Sequence, residues 1–349
     1  MNQPDDLTPD SAKGGDAPES LTNASAQQPK AKPTLPFSKL MPMLCGAVLG
    51  IVFRLIFSGK PDSVLEPMGS AFILIIPLVV GAVTVYIAET KERRSWRYYI
   101  AAGMLANVMF VLGTMVILIE GLICVIIIAP LFAVIGAIGA VMMGAICRFT
   151  NWPKATTYCF AGLPLFVALS FPAVPENVFI GEVTRTIQVN SSADAIWQQL
   201  LTVKNIRPDE VGDAWMYRIG VPMPIAGVTE QTSAGLVRHV TMGKSIHFDQ
   251  FSTDWREDQF VRWQYRFSAD SFPPNALDDH VRIGGKYFDL IDTEYSIAPI
   301  NSNHSELQIR MHYRVSTQFN WYANGVAQLL MGNFEEVILK FYRERSEKT

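Results

Sequence analysis

The second half of this chain has no cysteine: Cys45, Cys124, Cys147 and Cys159 all fall in the first half of its 349 residues. A disulfide framework and a thiolate-held zinc or iron–sulfur centre are thereby excluded from residues 176–349. Charge is scarce as well. Asp, Glu, Lys and Arg make up 17% of the chain and the mean hydropathy is positive, a balance that points to a bilayer. Neither sign dominates: 29 basic residues meet 32 acidic ones for a net charge of −3, so there is no electrostatic footprint for nucleic acid. One basic and aromatic run, Trp255-Arg256 to Arg262-Trp263-Gln264-Tyr265-Arg266, is neutralised by Asp254, Glu257 and Asp258 and reads as a solvated sheet face. No Gly-rich phosphate loop, His-Glu-x-x-His or Gly-x-Ser-x-Gly motif occurs, and no cofactor is implied.

What is present divides sharply. Residues 1–37 are rich in Pro, Ser, Ala, Asp and Gln with few bulky apolar residues, the composition of a disordered tail; acidic residues near its start argue against a signal peptide. Residues 38–175 form a transmembrane region of about five spans: Met41–Phe57, Ala71–Ala88, Tyr98–Ile119, Leu122–Cys147 and Tyr158–Val174. The last is weakened by Pro164, Pro172 and Pro175. Residues 121–129 admit a second reading, a half-helix lying on the outer leaflet with the fourth span starting near Leu131. With a cytoplasmic N-terminus, the inner segments carry Lys30, Lys32, Lys39, Lys91, Arg93, Arg94, Arg97, Arg148 and Lys154, against Lys60 alone in the outer loops. With five spans, that bias puts the protein in the cell (inner) membrane with its C-terminal domain outside the cytoplasm; a last run that lies only at the interface would return the domain to the cytoplasm. The same topology brings Arg54 and Glu120 to similar depth, as a structural ion pair. Small residues four apart, Gly46 and Gly50, then Gly136, Ala140 and Gly144, allow close helix packing.

Residues 176–349 change to short alternating strands. Val183, Arg185, Ile187 and Val189 interleave with Thr184, Thr186 and Gln188; Asn190-Ser191-Ser192 then caps a helix over Ala193–Val203. Further strands are predicted at Trp215–Ile219, Gly227–Thr232, Leu236–Met242, Ile246–Phe251, Gln259–Phe267, Tyr287–Ile297 and Leu307–Val315. A long amphipathic helix over Trp321–Arg345 ends the chain, with Val326, Leu330, Phe334, Val337 and Phe341 on its apolar face. The opening GEVTRTIQVNSSADAIWQQLL and the terminal NWYANGVAQLLMGNFEEVILKFYRERSE resemble the first strand and helix and the gripping helix of the START-like superfamily, the SRPBCC or polyketide cyclase/lipid-transfer group. The resemblance covers roughly residues 180–346. It implies an α-helical membrane bundle joined to an α+β helix-grip domain with an antiparallel sheet and a long C-terminal helix.

Members of that superfamily hold an apolar ligand between sheet and helix, some use the cavity for catalysis, and none supplies an invariant catalytic residue to carry over. The partners expected are therefore the lipid bilayer and a lipid or other apolar small molecule, with membrane-protein partners as a further class. Cyclase- or hydrolase-type chemistry and a docking role in an envelope complex are the competing readings. Gly325 and Gly332, seven apart with Leu329 between them, share a helix face; close packing against a strand and room for a ligand both account for them. His247 and Asp249, two apart on one strand, share a sheet face, and a His/Asp pair inside a cavity can serve as general base. His239 and His312 stand on other strands. Two histidines without a third ligand make no metal site.

Overall fold

The computed structural model describes residues 36–59, 65–150, 177–278 and 280–348. Most of the expected tail, the whole expected fifth span and the boundary at 175/176 lie outside the described residues; Pro36 and Phe37, assigned to the tail, instead open a helix.

Four helices form the apolar region: α1 (Pro36–Ile56), α2 (Ile76–Glu89, entered through a π-turn at Ala71–Ile75), α3 (Trp96–Val116) and α4 (Leu122–Phe149). Ala71–Glu89, Trp96–Val116 and Leu122–Phe149 are long and apolar enough to cross a membrane, while Leu40–Ile56 is a shorter apolar helix. The fourth runs unbroken through Pro130, so the separate half-helix at 121–129 is not formed. Pro130 falls in the third turn of α4, where its missing N–H removes a single intrahelical bond, the one to the Ile126 carbonyl, and the helix continues through it. The spaced small residues pack within the bundle: a Cβ on Gly81 would overlap the Gly136 carbonyl oxygen, and one on Gly139 the Leu78 carbonyl oxygen. The α2 and α4 backbones therefore touch. Asn107 on α3 adds a polar tie, donating to Pro77 O at 3.1 Å.

The second half is one antiparallel sheet with helices on its concave face. Its strands are β1 (Asn177–Val189), β2 (Pro224–Thr232), β3 (Gly235–Met242), β4 (His247–Ser252), β5 (Trp255–Arg256), β6 (Phe260–Arg266), β7 (Phe288–Asn301) and β8 (His304–Thr317). They lie in the order β1-β8-β7-β6-β4-β3-β2, with β5 paired to β6. Between β1 and β2 come α5 (Ala193–Leu201) and two single turns, α6 (Pro208–Val211) and α7 (Trp215–Arg218). Ser192 caps α5 by accepting from Ala195 N at 3.3 Å. The predicted strand at Trp215–Ile219 is the helical turn α7. So short an apolar run cannot be assigned by periodicity; here Asn333 Oδ1 accepts from Trp215 N at 2.7 Å and fixes the turn. The chain ends in α8 (Asn320–Ser346), which packs on β1 and β8.

Two glycines give opposite expectations. Gly139→Ala must displace the Leu78 backbone, and should lower the melting temperature of the full chain. Gly325→Ala meets nothing within 4 Å and should stabilise α8 by about 1 kcal/mol. Thermal melts of both variants beside the wild type check this; a loss at Gly325 equal to that at Gly139 would contradict the packing.

Glu335 on α8 is wholly buried, and burial pushes its carboxyl up to about 8, with Arg185 opposing the shift. Between an ordinary unfolded value of about 4.5 and the folded value, the folded chain keeps a proton that the unfolded chain has lost. Stability from this group therefore falls as pH rises through that window and is flat above it. Glu335→Gln should melt near the wild-type temperature at about pH 4 and above it at about pH 9. An equal difference at both pH values would show that Glu335 is not the titrating group.

Candidate ligand cavity

Alternation along the strands decides what the concave face carries. On β3, Leu236, Arg238, Val240 and Met242 share one face; on β4, Phe248, Gln250 and Ser252 do. Of these, Arg238, Val240, Met242, Phe248 and Gln250, with Tyr265 of β6, Thr293 and Tyr295 of β7 and Met311 of β8, form the sheet wall of a cavity of about 350 Å³. The opposite wall comes from α8, through Ala323, Val326, Ala327, Leu330, Phe334 and Phe341, and from Met216 and Tyr217 of α7. The cavity is continuous with the helical bundle, where Phe72, Phe110, Ile128 and Phe132 line it. Phe110 and Phe132 stack with centroids 5.7 Å apart. Tyr322 of α8 donates to the Ile127 carbonyl and Phe319 packs among the bundle's aromatic residues, fixing this junction.

Polar groups occur at two places on a largely apolar wall. The first is Arg238, 7% exposed. Its Nη2 donates to Tyr342 Oη at 3.1 Å, and the guanidinium carbon lies 5.9 Å from the centroid of the Trp263 ring. Gly227 on the neighbouring strand makes this placement feasible, because a Cβ there would sit 2.5 Å from Arg238 Nε. Tyrosines surround the guanidinium; burial pushes the Tyr265 hydroxyl up to about 12 and raises Tyr217 and Tyr295 likewise, so all are neutral phenols at physiological pH. Tyr265 Oη pairs with Thr293 Oγ1 at 2.6 Å.

The second polar group sits where the bundle meets the sheet domain. Arg54 Nε donates to Glu120 Oε1 at 2.7 Å and Arg54 Nη1 to Phe57 O at 2.9 Å. His280 joins them from the β6–β7 connection. Its Nδ1 lies 3.1 Å from Asp278 Oδ1, 3.7 Å from Glu120 Oε2 and 3.7 Å from Cys124 Sγ, while Asp278 Oδ2 accepts from Gly121 N at 3.2 Å. Burial alone would raise the Asp278 carboxyl, yet hydrogen bonds from His280 and Cys124 hold it well below the carboxylate range. Burial opposes charge on His280, and the Asp278 and Glu120 carboxylates outweigh it and raise its pKa. Glu120, Cys124, Asp278 and His280 have donor atoms within 4.8 Å of one another and could hold a divalent ion. Without one, the cluster is already a satisfied network, since Arg54 takes up Glu120 and two backbone N–H groups, Gly121 and His280, take up Asp278.

The sequence-derived candidates fall elsewhere. His247 and Asp249 point to the outer face of the sheet, away from the cavity, because Phe248 and Gln250 between and beside them face inward. Nor do they pair: His247 Nε2 lies 3.5 Å from Asp270, and Asp249 sits directly across the β3–β4 ladder from His239, with Oδ1 2.7 Å from its Nδ1. His312 similarly meets Asp292 at 2.6 Å on the outer face. On α8, Gly325 faces open space and Gly332 faces Arg185 and Val183 of β1, while Leu329 is 57% exposed. The cavity is lined by the helix face carrying 323, 327, 330 and 334, so neither glycine opens space in it. Arg54 and Glu120 do lie on its wall. Sequence reasoning passed over Arg238 and His280. A signal for Arg238 was available, since it interrupts the apolar positions Leu236, Val240 and Met242; His280 stands in a connection with no periodicity.

No protein-family model matches the sequence, and no curated protein matches it either. Solved structures do. The aromatase/cyclase ZhuI from Streptomyces sp. R1128 is 12% identical, with 49% of this chain covering 95% of that one at a TM-score of 0.32. A START superfamily protein from Mycobacterium smegmatis is 15% identical over 48% of this chain and 97% of its own, at 0.33. Norcoclaurine synthase from Thalictrum flavum, in complex with dopamine and hydroxybenzaldehyde, is 12% identical over 47% of this chain and 88% of its own, at 0.25.

Proposed function

We propose that the chain is a membrane-anchored START-like module that takes up a lipid or other apolar molecule near the outer face of the membrane. The observation that carries this reading is the cavity itself, which has a volume of about 350 Å³ and apolar walls running from the sheet domain into the bundle. That volume falls within the range of ligand sites, roughly 300–1,000 Å³. An apolar ligand entering from a bilayer would keep apolar surroundings along this path and would not have to cross water. Among the described residues the wall brings one thiol to an imidazole, Cys124 Sγ to His280 Nδ1 at 3.7 Å, and there His280 is already engaged by the Asp278 and Glu120 carboxylates, so the binding reading stands ahead of an enzymatic one.

Connectivity supports the outward placement of the sheet domain. The domain touches the bundle at Ser70, Glu120, Gly121, Cys124 and Ile127. The opposite end of the bundle carries Arg93, Arg94 and Arg148, where Arg148 Nη2 donates to Arg94 O at 2.6 Å. The basic end is the cytoplasmic one by the usual charge rule. The chain leaves α4 at that end, and β1 begins at the other, where Asn320 donates to the Asn177 carbonyl.

Two measurements test the reading. Mass spectrometry of the purified full chain should recover a co-purifying apolar molecule. Ala327→Phe, which adds bulk to the cavity wall, should abolish its recovery and leave the melting temperature unchanged or higher. A lowered melting temperature of the kind overpacking produces, about 1–3 kcal/mol of lost stability, with nothing recovered from the wild type, would mean a filled core. For topology, a reporter active only outside the cytoplasm and fused after Thr349 should be active; activity of a cytoplasm-only reporter at the same position would overturn the outward placement.

A further inference from the structure

We infer that the molecule held in this cavity carries an anionic group, a carboxylate or a phosphate, and that Arg238 binds it. The inference rests on the ligand-binding reading and names the chemistry of the ligand. Buried charges in proteins are as a rule paired, because an isolated one forfeits its hydration. Arg238 is buried on the concave face of β3, so its side chain cannot reach the solvent on the outer face of the sheet. A guanidinium carries five N–H donors. Here Nη2 reaches the Tyr342 hydroxyl, while Nε is buried with no hydrogen-bond partner. Among the described residues no carboxylate lies within ion-pair distance of it. The Trp263 ring offers only its π face.

The surroundings add to this. Gly227 leaves the space that the guanidinium occupies, so the position is built to hold the arginine. Gln250, directly across the β3–β4 ladder from Arg238, also lines the cavity and offers a neutral amide beside the charge. A carboxylate or phosphate accepts two parallel N–H bonds from a guanidinium, which a hydroxyl or ketone cannot do. Between Arg238 and the Arg54–Glu120–His280 cluster the wall is largely apolar, from Phe341 to Ala323 of α8 and onward to Phe72 and Phe110. Ala323 and Tyr342 are separated by about 28 Å of helix at 1.5 Å per residue. The geometry suits an amphiphile whose single anionic head meets Arg238 and whose apolar body extends towards the membrane helices.

Equilibrium binding to the full chain in lipid nanodiscs tests this, with radiolabelled dodecanoate, dodecyl phosphate and dodecanol as probes and empty nanodiscs subtracted. At least one anionic probe should bind about tenfold or more tightly than dodecanol, in keeping with a charge-assisted hydrogen bond; the stronger of the two distinguishes a carboxylate from a phosphate ligand. Arg238→Gln should remove that preference by weakening the anionic probes far more than dodecanol, and Arg238→Lys should keep part of it. If dodecanol binds as well as both anions, or Arg238→Gln weakens all three probes equally, Arg238 is not an anion anchor although the cavity still binds. If none of the three binds the wild type, the ligand-binding reading itself falls. Should Arg238→Gln fail to fold, the anion-to-alcohol ratio of the wild type decides.

Discussion

A single helix is too narrow to cover the concave face of a wide sheet, and the cavity follows from that constraint. Strands stand about 4.8 Å apart, so the seven-strand path from β1 to β2 is roughly 29 Å across, whereas a helix with its side chains is about 10–12 Å wide. α8 settles on β1 and β8, and α5 with the short turns α6 and α7 closes the flank. Over β3, β4 and β6 the helix does not pack closely on the sheet, and the open space lies between them. Its position is therefore set by which strands α8 covers. Gly332, packed against Arg185 and Val183 of β1, belongs to the seating of the helix on those strands.

The same geometry makes the apolar helices of the first half part of the domain's wall. Where a free-standing helix-grip domain would meet water at the end of its cavity, this one meets Phe72, Phe110 and Phe132. The junction is fixed by polar contacts at its rim, the Arg54–Glu120 pair with His280 and Asp278, and by apolar ones nearer the centre, Phe319 among the bundle's aromatic residues. Removing both members of a buried pair is commonly less damaging than removing one. The rim therefore contributes more to the register between bundle and domain than to net stability.

Much of the fold was legible because local patterns and tertiary structure agree. The apolar runs at 71–88 and 122–147 become helices with ends within a few residues of expectation, and the turns at Ser233–Gly235 and Asn301–Asn303 join the strands anticipated on either side. Trp215–Ile219 misled because its helical turn depends on Asn333, more than a hundred residues away. The site was less legible than the fold. Two glycines on a helix show that a face is small but not which way it points, and His247 with Asp249 share a face that strand periodicity alone cannot assign to inside or outside. The informative residue was an arginine in an apolar register, since its cost is apparent from the sequence before any partner is known.

β1 has one further consequence. It is an edge strand, and its first turns outward carry Val178 at 64% and Ile180 at 63% exposure, with Trp321 at 66% close by in sequence to the β8–α8 corner. An unpaired edge with apolar side chains is a template for intermolecular pairing in water. At a bilayer surface the same residues, and a tryptophan especially, are favourably placed. Among the described residues nothing pairs with this edge, so an excised sheet domain in water would present Val178 and Ile180 to its own copies, and association is the hazard this strand carries.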